Sequence, residues 1–236
     1  VTMQNENVLI TGSNRGLGAA LVDAFLTAGC EKVYAAARDP DSVAAAENIE
    51  PVRLDLNDAE SVARASKVAS DVSILVNNAA IVANEGVMTP SNLNRAREEM
   101  ETNLWGTVEV CRAFQEVLVE QRGIILNILS IGALVSIPFA GSYCATKAAL
   151  LSMTQCMRAE LRPSGVAVVG VFVGPLQTEM ARAGKEEGRH PVEEVAKRIV
   201  EQVASRPDYI FADATAEKVG SVYRENPWDL EKMFSK

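Results

Sequence analysis

Histidine is nearly absent: the 236 residues contain one, His190. That excludes a metal centre built on clustered imidazoles and any Ser-His-Asp triad, so no serine here is activated by the usual base. Cysteine is sparse too. Cys30, Cys111, Cys144 and Cys156 lie far apart with no Cys-x-x-Cys pair, and read as reduced, mostly buried small side chains. No apolar run approaches the ~18–20 residues of a membrane span, and residues 1–7 show no basic region leading into an apolar one. A cytoplasmic protein with no membrane partner is the expectation. Blocks of lysine or arginine are also missing and the formal charge is −8. Long-range electrostatics therefore disfavour nucleic acid and anionic lipid, and any anion needs a local site. No linker, low-complexity segment or repeat interrupts the chain, so one domain over 1–236 is expected.

What is present is 48% hydrophobic sequence, enough for a large core, arranged as short apolar runs between amphipathic stretches. Residues 7–11 form such a run and predict a buried strand. Gly12-Ser13-Asn14-Arg15-Gly16-Leu17-Gly18 follows, and 19–28 has helical composition closed by Gly29. Glycines let the backbone approach a pyrophosphate, and the helix behind offers free N–H groups and a positive dipole end. Alone, such a loop often makes only a tight turn. Between a first strand and a first helix it predicts nucleotide binding.

The second strand, 32–37, runs into Ala37-Arg38-Asp39-Pro40. An acid closing this strand bonds a ribose 2′-hydroxyl, whereas an arginine holds a 2′-phosphate. Ala37 is not acidic, Arg38 is basic, and Arg15 can approach the same region, so NADP(H) is favoured over NAD(H). Asp39 argues the other way, although beside Pro40 it also suits a turn or a cap. The plain alternative is that Arg38 is an ordinary solvated arginine.

Further strands at 51–56, 72–76, 123–129, 166–173 and 208–212 alternate with helices at 58–69, 90–121, 143–157 and 191–205. Asn57 is a plausible N-cap, and 90–121 is a long, bent helical region. Repeated βαβ units predict an α/β fold with a parallel sheet, whose ligands bind beyond the C-terminal strand ends, where Asp55 and Asn77 fall. Val110, Phe114, Val117 and Leu118 have helical spacing and read as packing or as a subunit interface. The polar stretch 176–190 is a candidate lid.

Tyr143 and Lys147 are four residues apart, which puts both side chains on one helix face, one turn apart. A phenol titrates near ~10 and needs help to move protons near neutrality. A neighbouring ammonium favours the phenolate. Ser130, at the end of a strand-like run, can stand opposite the tyrosine across a bound carbonyl. The three read as an acid/base site for carbonyl–alcohol chemistry.

These pieces together resemble the short-chain dehydrogenase/reductase family over roughly the whole chain. The resemblance rests on Thr11-Gly12-x-x-x-Gly16-x-Gly18, Asp55, Asn77-Asn78-Ala79, Asn103, Ser130, Tyr143-x-x-x-Lys147 and Gly174-Pro175-x-x-Thr178. It implies a Rossmann-type, doubly wound parallel sheet of about seven strands with helices on both faces. It also implies the roles: Gly12 to Gly18 on the pyrophosphate, Arg15 and Arg38 on the 2′-phosphate, and Asp55 with Leu56 at the adenine. Asn77 would steady the sheet beside the cofactor, Ala79 would lie against its ribose, Thr178 and the backbone near it would hold the carboxamide, and Asn78 and Gly174 would count among the cofactor-binding residues. Tyr143 would be the general acid/base, Lys147 would lower its pKa and bond the nicotinamide ribose, Ser130 would polarise the substrate oxygen, and Asn103 would position a relay water. A homodimer or homotetramer is implied as well. Two departures stand out: Ala80 replaces a usual glycine, and Val173 a usual proline. The rival readings are a non-catalytic dinucleotide-binding sensor or scaffold, and a lyase or epimerase on a related fold. The substrate pocket is expected between residues 131–140, Val82 and the lid; its apolar residues favour an uncharged ketone, aldehyde or secondary alcohol.

Overall fold

Seven short aliphatic runs form strands: β1 (Asn7–Thr11), β2 (Lys32–Ala37), β3 (Ile49–Arg53), β4 (Ile74–Asn77), β5 (Ile124–Ile128), β6 (Ala167–Phe172) and β7 (Tyr209–Phe211). In the computed structural model, which describes residues 3–178 and 188–234, they make one parallel sheet in the order β3-β2-β1-β4-β5-β6-β7. The helices are α1 (Gly16–Thr27), α2 (Ala59–Val68), α3 (Asn94–Met100), α4 (Thr107–Ala113), α5 (Gln115–Glu120), α6 (Gly141–Leu161), α7 (Val192–Val203), α8 (Ala214–Glu225) and α9 (Pro227–Phe234).

Side chains on a strand alternate between faces, so each strand feeds two cores. Val8 and Ile10 join Phe25 of α1 and Ile199 of α7, while Leu9 joins Val62 of α2 and Val110 and Phe114 on the other side. Burial on both faces explains why these strands are apolar throughout instead of alternating. A third cluster gathers Leu129, Leu150, Phe172, Val219 and Leu230 where α6, α8 and α9 close the far end. No helix among the described residues is long and apolar enough to cross a membrane.

Strand order reverses between β1 and β4, and the loops leaving these strands part there, which opens a crevice at the C-terminal edge. Thr11 fastens its two sides. Its hydroxyl accepts the N–H groups of Asn78 and Ala79, each at 3.0 Å. Asn78 returns the link, donating from Nδ2 to the carbonyls of Thr11 (2.9 Å) and Gly12 (3.2 Å).

Three details differ from expectation. The segment 90–121 is not one bent helix. It is α3, a π-helical turn (Glu101–Gly106), α4 and α5, with a break at Phe114. The π turn sets Gly106 hard against the loop after β3, where an added Cβ would sit 2.7 Å from Leu56 Cβ. The third strand stops at Arg53, so Asp55 and Leu56 belong to that loop. Asp58, not Asn57, caps α2, accepting from Glu60 N and Ser61 N at 3.0 and 3.1 Å. Asn57 is held by a turn in which its N–H donates to Asp55 Oδ1, and its amide reaches Thr102 instead.

A buried polar ladder ties the sheet to α6. Asn77 and Asn127 are cross-strand neighbours, and Asn77 Nδ2 donates to Asn127 Oδ1 at 2.8 Å. Asn127 Nδ2 donates to Thr154 Oγ1 at 2.9 Å, and that hydroxyl donates to Leu150 O at 2.7 Å. Asn127 and Thr154 are wholly buried. Asn127→Leu removes both amide bonds and should destabilise the chain by about 2 kcal/mol or more. Urea unfolding checks this. A midpoint equal to wild type at equal slope would remove the ladder from the physical account of the fold.

Candidate active site

The crevice floor is the glycine loop. Gly12 and Gly16 have φ of +67° and +55°, the left-handed region that only glycine enters freely. Gly18 is required by space, because a Cβ there would lie 2.1 Å from Gly12 O and 2.7 Å from Asn78 Nδ2. Helix α1 begins with no side-chain cap bond and no acidic residue in its first turn, so its N–H groups remain available to an anion. The cradle thus suits the phosphates of a dinucleotide.

The other expected cofactor residues ring this cradle. Ser13 is buried, its hydroxyl and N–H both given to Ala36 O at 3.1 Å. Asn14 and Arg15 are exposed at the loop, whereas the Leu17 side chain is packed in the core, leaving only its backbone for a ligand. Arg38 stands exposed just after β2. Asp39 is occupied locally, capping the turn at Pro40–Ser42 by accepting from Asp41 N at 3.2 Å, which weakens its claim on a ribose. Asp55 is half-buried with Oδ1 on Asn57 N, and Leu56 packs on Gly106. Ala79 abuts Gly12, where a Cβ would come 3.0 Å from Ala79 Cα. Ala80 is not among the positive-φ residues, so it sits without strain where a glycine is usual.

On the other side, Gly174 N donates to buried Asp213 Oδ2 at 2.7 Å, and a Cβ on Gly174 would meet Asp213 Oδ1 at the same distance. Thr178 reaches back to the loop, its Cγ2 3.3 Å from where a Cβ on Gly16 would be. Leu176 and His190 bridge the base of the expected lid, and His190 Nε2 pairs with Thr215 Oγ1 at 2.9 Å. Residues 179–187 of that lid lie outside the described residues.

Tyr143 and Lys147 stand on the first turns of α6, with Ser130 just after β5. The Ser130 hydroxyl accepts Gly132 N at 3.0 Å and acts on the Tyr143 phenol in the direction that lowers its pKa. Lys147 is buried, donating from Nζ to Ile128 O at 2.8 Å, with Nζ 5.7 Å from the Tyr143 ring centre. Burial governs both groups. It pushes the half-buried Tyr143 phenol up to about 12 against the downward pull of Ser130, and pushes the Lys147 ammonium down to about 8. This differs from the lowered tyrosine expected from sequence. The reason is that loss of water on the phenolate outweighs the polar partners this chain offers by itself.

Asn103 lies wholly buried inside the π turn. Its Oδ1 accepts Ile81 N at 2.8 Å, while its Nδ2 donates to Ile81 O and Thr146 Oγ1 at 2.9 and 3.2 Å. The side chain therefore clamps the loop after β4 to α6, while the backbone carbonyl of Asn103 accepts the Thr107 hydroxyl at 3.0 Å. Glu99 escaped the sequence reading. It is 1% exposed, holds Ala83 N at 2.6 Å through Oε1, leaves Oε2 without a protein partner, and adds an upward push on Tyr143. In a run of Arg, Glu and Met nothing distinguishes it from its solvated neighbour Glu98; only the short spacing to Asn103 hints that both address one loop.

Residues 132–136 wall a cavity of about 180 Å³ with Gly141, Cys144, Ala145 and Ala148. At roughly 100° per residue this is a different face of α6 from that of Tyr143 and Lys147. The larger cavity, about 250 Å³, is at the opposite end of the sheet.

The chain matches the short chain dehydrogenase family over residues 6–189. A short-chain dehydrogenase/reductase of Pestalotiopsis microspora is 34% identical over 183 residues, covering 76% of this chain and 62% of that protein, so the match spans less than two thirds of that relative. A protein of Sus scrofa named carbonyl reductase [NADPH] 2 is 30% identical over 230 residues, 90% of this chain and 91% of that one. A crystal structure of a short chain dehydrogenase from Burkholderia cenocepacia J2315, in complex with NADP, superposes at a TM-score of 0.95 with 34% identity and full coverage of both chains.

The buried lysine makes stability depend on pH. Its folded pKa is about 8 against the usual 10.5, so the ammonium is a desolvation penalty in full below pH 8. Between pH 8 and 10.5 the folded chain releases this proton before the unfolded chain does, and its contribution to stability rises across that window. Lys147→Met should raise stability at pH 7 by up to about 3 kcal/mol, less the lost bond to Ile128, with the gain shrinking toward high pH. Urea midpoints at pH 7 and 10 test this. A variant less stable than wild type by the same margin at both would show that the buried charge carries no penalty.

Proposed function

The chain belongs to the short-chain dehydrogenase family, and from that premise we propose an NADP(H)-dependent oxidoreductase that interconverts a ketone or aldehyde and an alcohol, with Tyr143 as general acid and base. The observation that carries this reading is the buried Lys147 one turn on from Tyr143, its Nζ 5.7 Å from the tyrosine ring centre, with Ser130 just after β5 acting on the same phenol. The NADP bound by the Burkholderia structure and the name of the porcine relative support the choice of cofactor.

The backbone of Gly12–Gly18 would hold the pyrophosphate of NADPH, with Arg15 and Arg38 toward its 2′-phosphate, and the cofactor would supply the hydride when bound. Tyr143 donates its phenolic proton to the carbonyl oxygen as negative charge develops there. A phenol that burial holds at about 12 is fully protonated at neutral pH and ready to act as an acid. Ser130 offers a second donor to the same oxygen, fixed in advance by its bond to Gly132, and so stabilises the transition state more than the ground state. Lys147 favours the phenolate left behind. Oxidation starts from that phenolate, and bringing the phenol from about 12 to near 7 needs roughly 7 kcal/mol of differential stabilisation. A homodimer or homotetramer built on α3–α5 and α6, where Trp105 is 46% exposed, belongs to the same reading.

Tyr143→Phe should abolish reduction of carbonyl substrates while leaving NADPH affinity within about twofold, since it deletes only the proton donor. Residual activity above a few per cent in a ketone and aldehyde panel would remove Tyr143 from the mechanism. Arg38→Asp should move the ratio of kcat/KM for NADPH over NADH toward NADH by at least about tenfold, a charge-assisted phosphate contact being worth ~1.5–3 kcal/mol. An unchanged ratio would mean that Arg38 does not read the phosphate.

A further inference from the structure

Beneath the N-terminal ends of β6 and β7 lies the cavity of about 250 Å³, lined by Arg158, Arg162 and Arg206, with Gly165 and Asp208 at its edge. Arg158 rises from the last turns of α6 and is buried. Its Nε donates to Val168 O at 2.7 Å and its Nη2 to Asp208 O at 2.6 Å, tying β6 to the segment before β7. Arg206 crosses from the far side, donating from Nη1 to Arg122 O at 2.8 Å. Asp208 is the sole carboxylate among the lining residues and spreads itself thinly, 3.4 Å from Arg158 Nε and 3.5 Å from Arg162 Nη2.

Three guanidinium groups thus face one carboxylate across a shared opening, in a chain whose formal charge is −8. Their donors are not used up. Among the described residues, Arg158 Nη1, Nε and Nη1 of Arg162, and Nε and Nη2 of Arg206 have no protein acceptor. Tying two strands together requires only Arg158; it does not require Arg162 or Arg206. Arg122 and Arg206 follow the ends of α5 and α7 with φ of +47° and +50°, left-handed residues that close the two helices beside the cavity.

We propose that this cavity binds a small, multiply charged phosphoryl anion, at a site separate from the glycine loop. Convergent guanidinium forks suit tetrahedral oxyanions, and a charge of −2 or more balances the excess of two positive charges over Asp208. Arg158 lies fifteen residues along α6 from Tyr143, or about 22 Å at ~1.5 Å per residue, so the occupant does not touch the reacting atoms.

Inorganic pyrophosphate is the probe, titrated calorimetrically into the full chain at low ionic strength. Because the backbone of the glycine cradle also attracts phosphate, binding is assigned to this cavity only through its own arginines, with the unaltered chain as parent and citrate at matched ionic strength as the carboxylate arm. Pyrophosphate should bind the parent, and Arg162→Ala or Arg206→Ala should weaken one binding event by about ten- to a hundredfold. Both side chains are at the surface, so circular dichroism melts should match the parent. Absence of saturable binding, indifference to both alanine variants, or citrate binding as tight as pyrophosphate would each overturn the proposal.

Discussion

Helix α6 has one way to lie on its sheet, because two buried polar demands must be met together. The Asn77–Asn127–Thr154 ladder fixes the middle of the helix against β4 and β5. The Lys147 ammonium, carried out of water, fixes its start by bonding Ile128 O at the end of β5. An unmet amide or ammonium in that interior costs more than any single apolar contact gains. The rotation of α6 is therefore set by polar groups inside an otherwise aliphatic layer, and Tyr143 points where that rotation sends it. The whole site inherits its geometry from this constraint.

The same low polarity shapes the chemistry. Tyr143 and Lys147 are displaced in opposite senses, the phenol upward and the ammonium downward, since each resists being charged without water. The resting pair is consequently closer to neutral than a surface tyrosine–lysine pair. It holds a proton on the phenol and binds the ammonium proton less firmly than water would allow.

Much of this was legible in the residues. The strands read within about two residues of their observed limits except at the end of β3, because a parallel strand covered on both faces must be aliphatic throughout. The site positions read well because their types are chemically exceptional: a lone tyrosine–lysine pair at helical spacing, and glycines where a backbone must pass close. What was not legible depends on tertiary contact. Glu98 and Glu99 are alike in sequence, yet only Glu99 is drawn inside by Ala83 N. Asn57 and Asp58 are both competent caps, and the choice between them is made by Thr102, distant in the chain. The rise of the tyrosine pKa was missed because spacing reports the neighbouring charge but not the missing water.

The π-helical turn at Glu101–Gly106 acts as a phase shift. One extra residue in a helix turns everything beyond it by about 100° relative to uninterrupted winding. Ahead of the turn, Glu99 must face the loop that follows β4; behind it, Val110 and Leu118 must face the sheet. A plain α-helix would satisfy one of these aspects and misdirect the other. The segment is therefore intolerant of length change in a way its polar exterior conceals: a single-residue deletion that restored ordinary winding would detach either the loop beside the tyrosine or the seam against the sheet. A substitution there alters one side chain, but a deletion alters which way the helix looks.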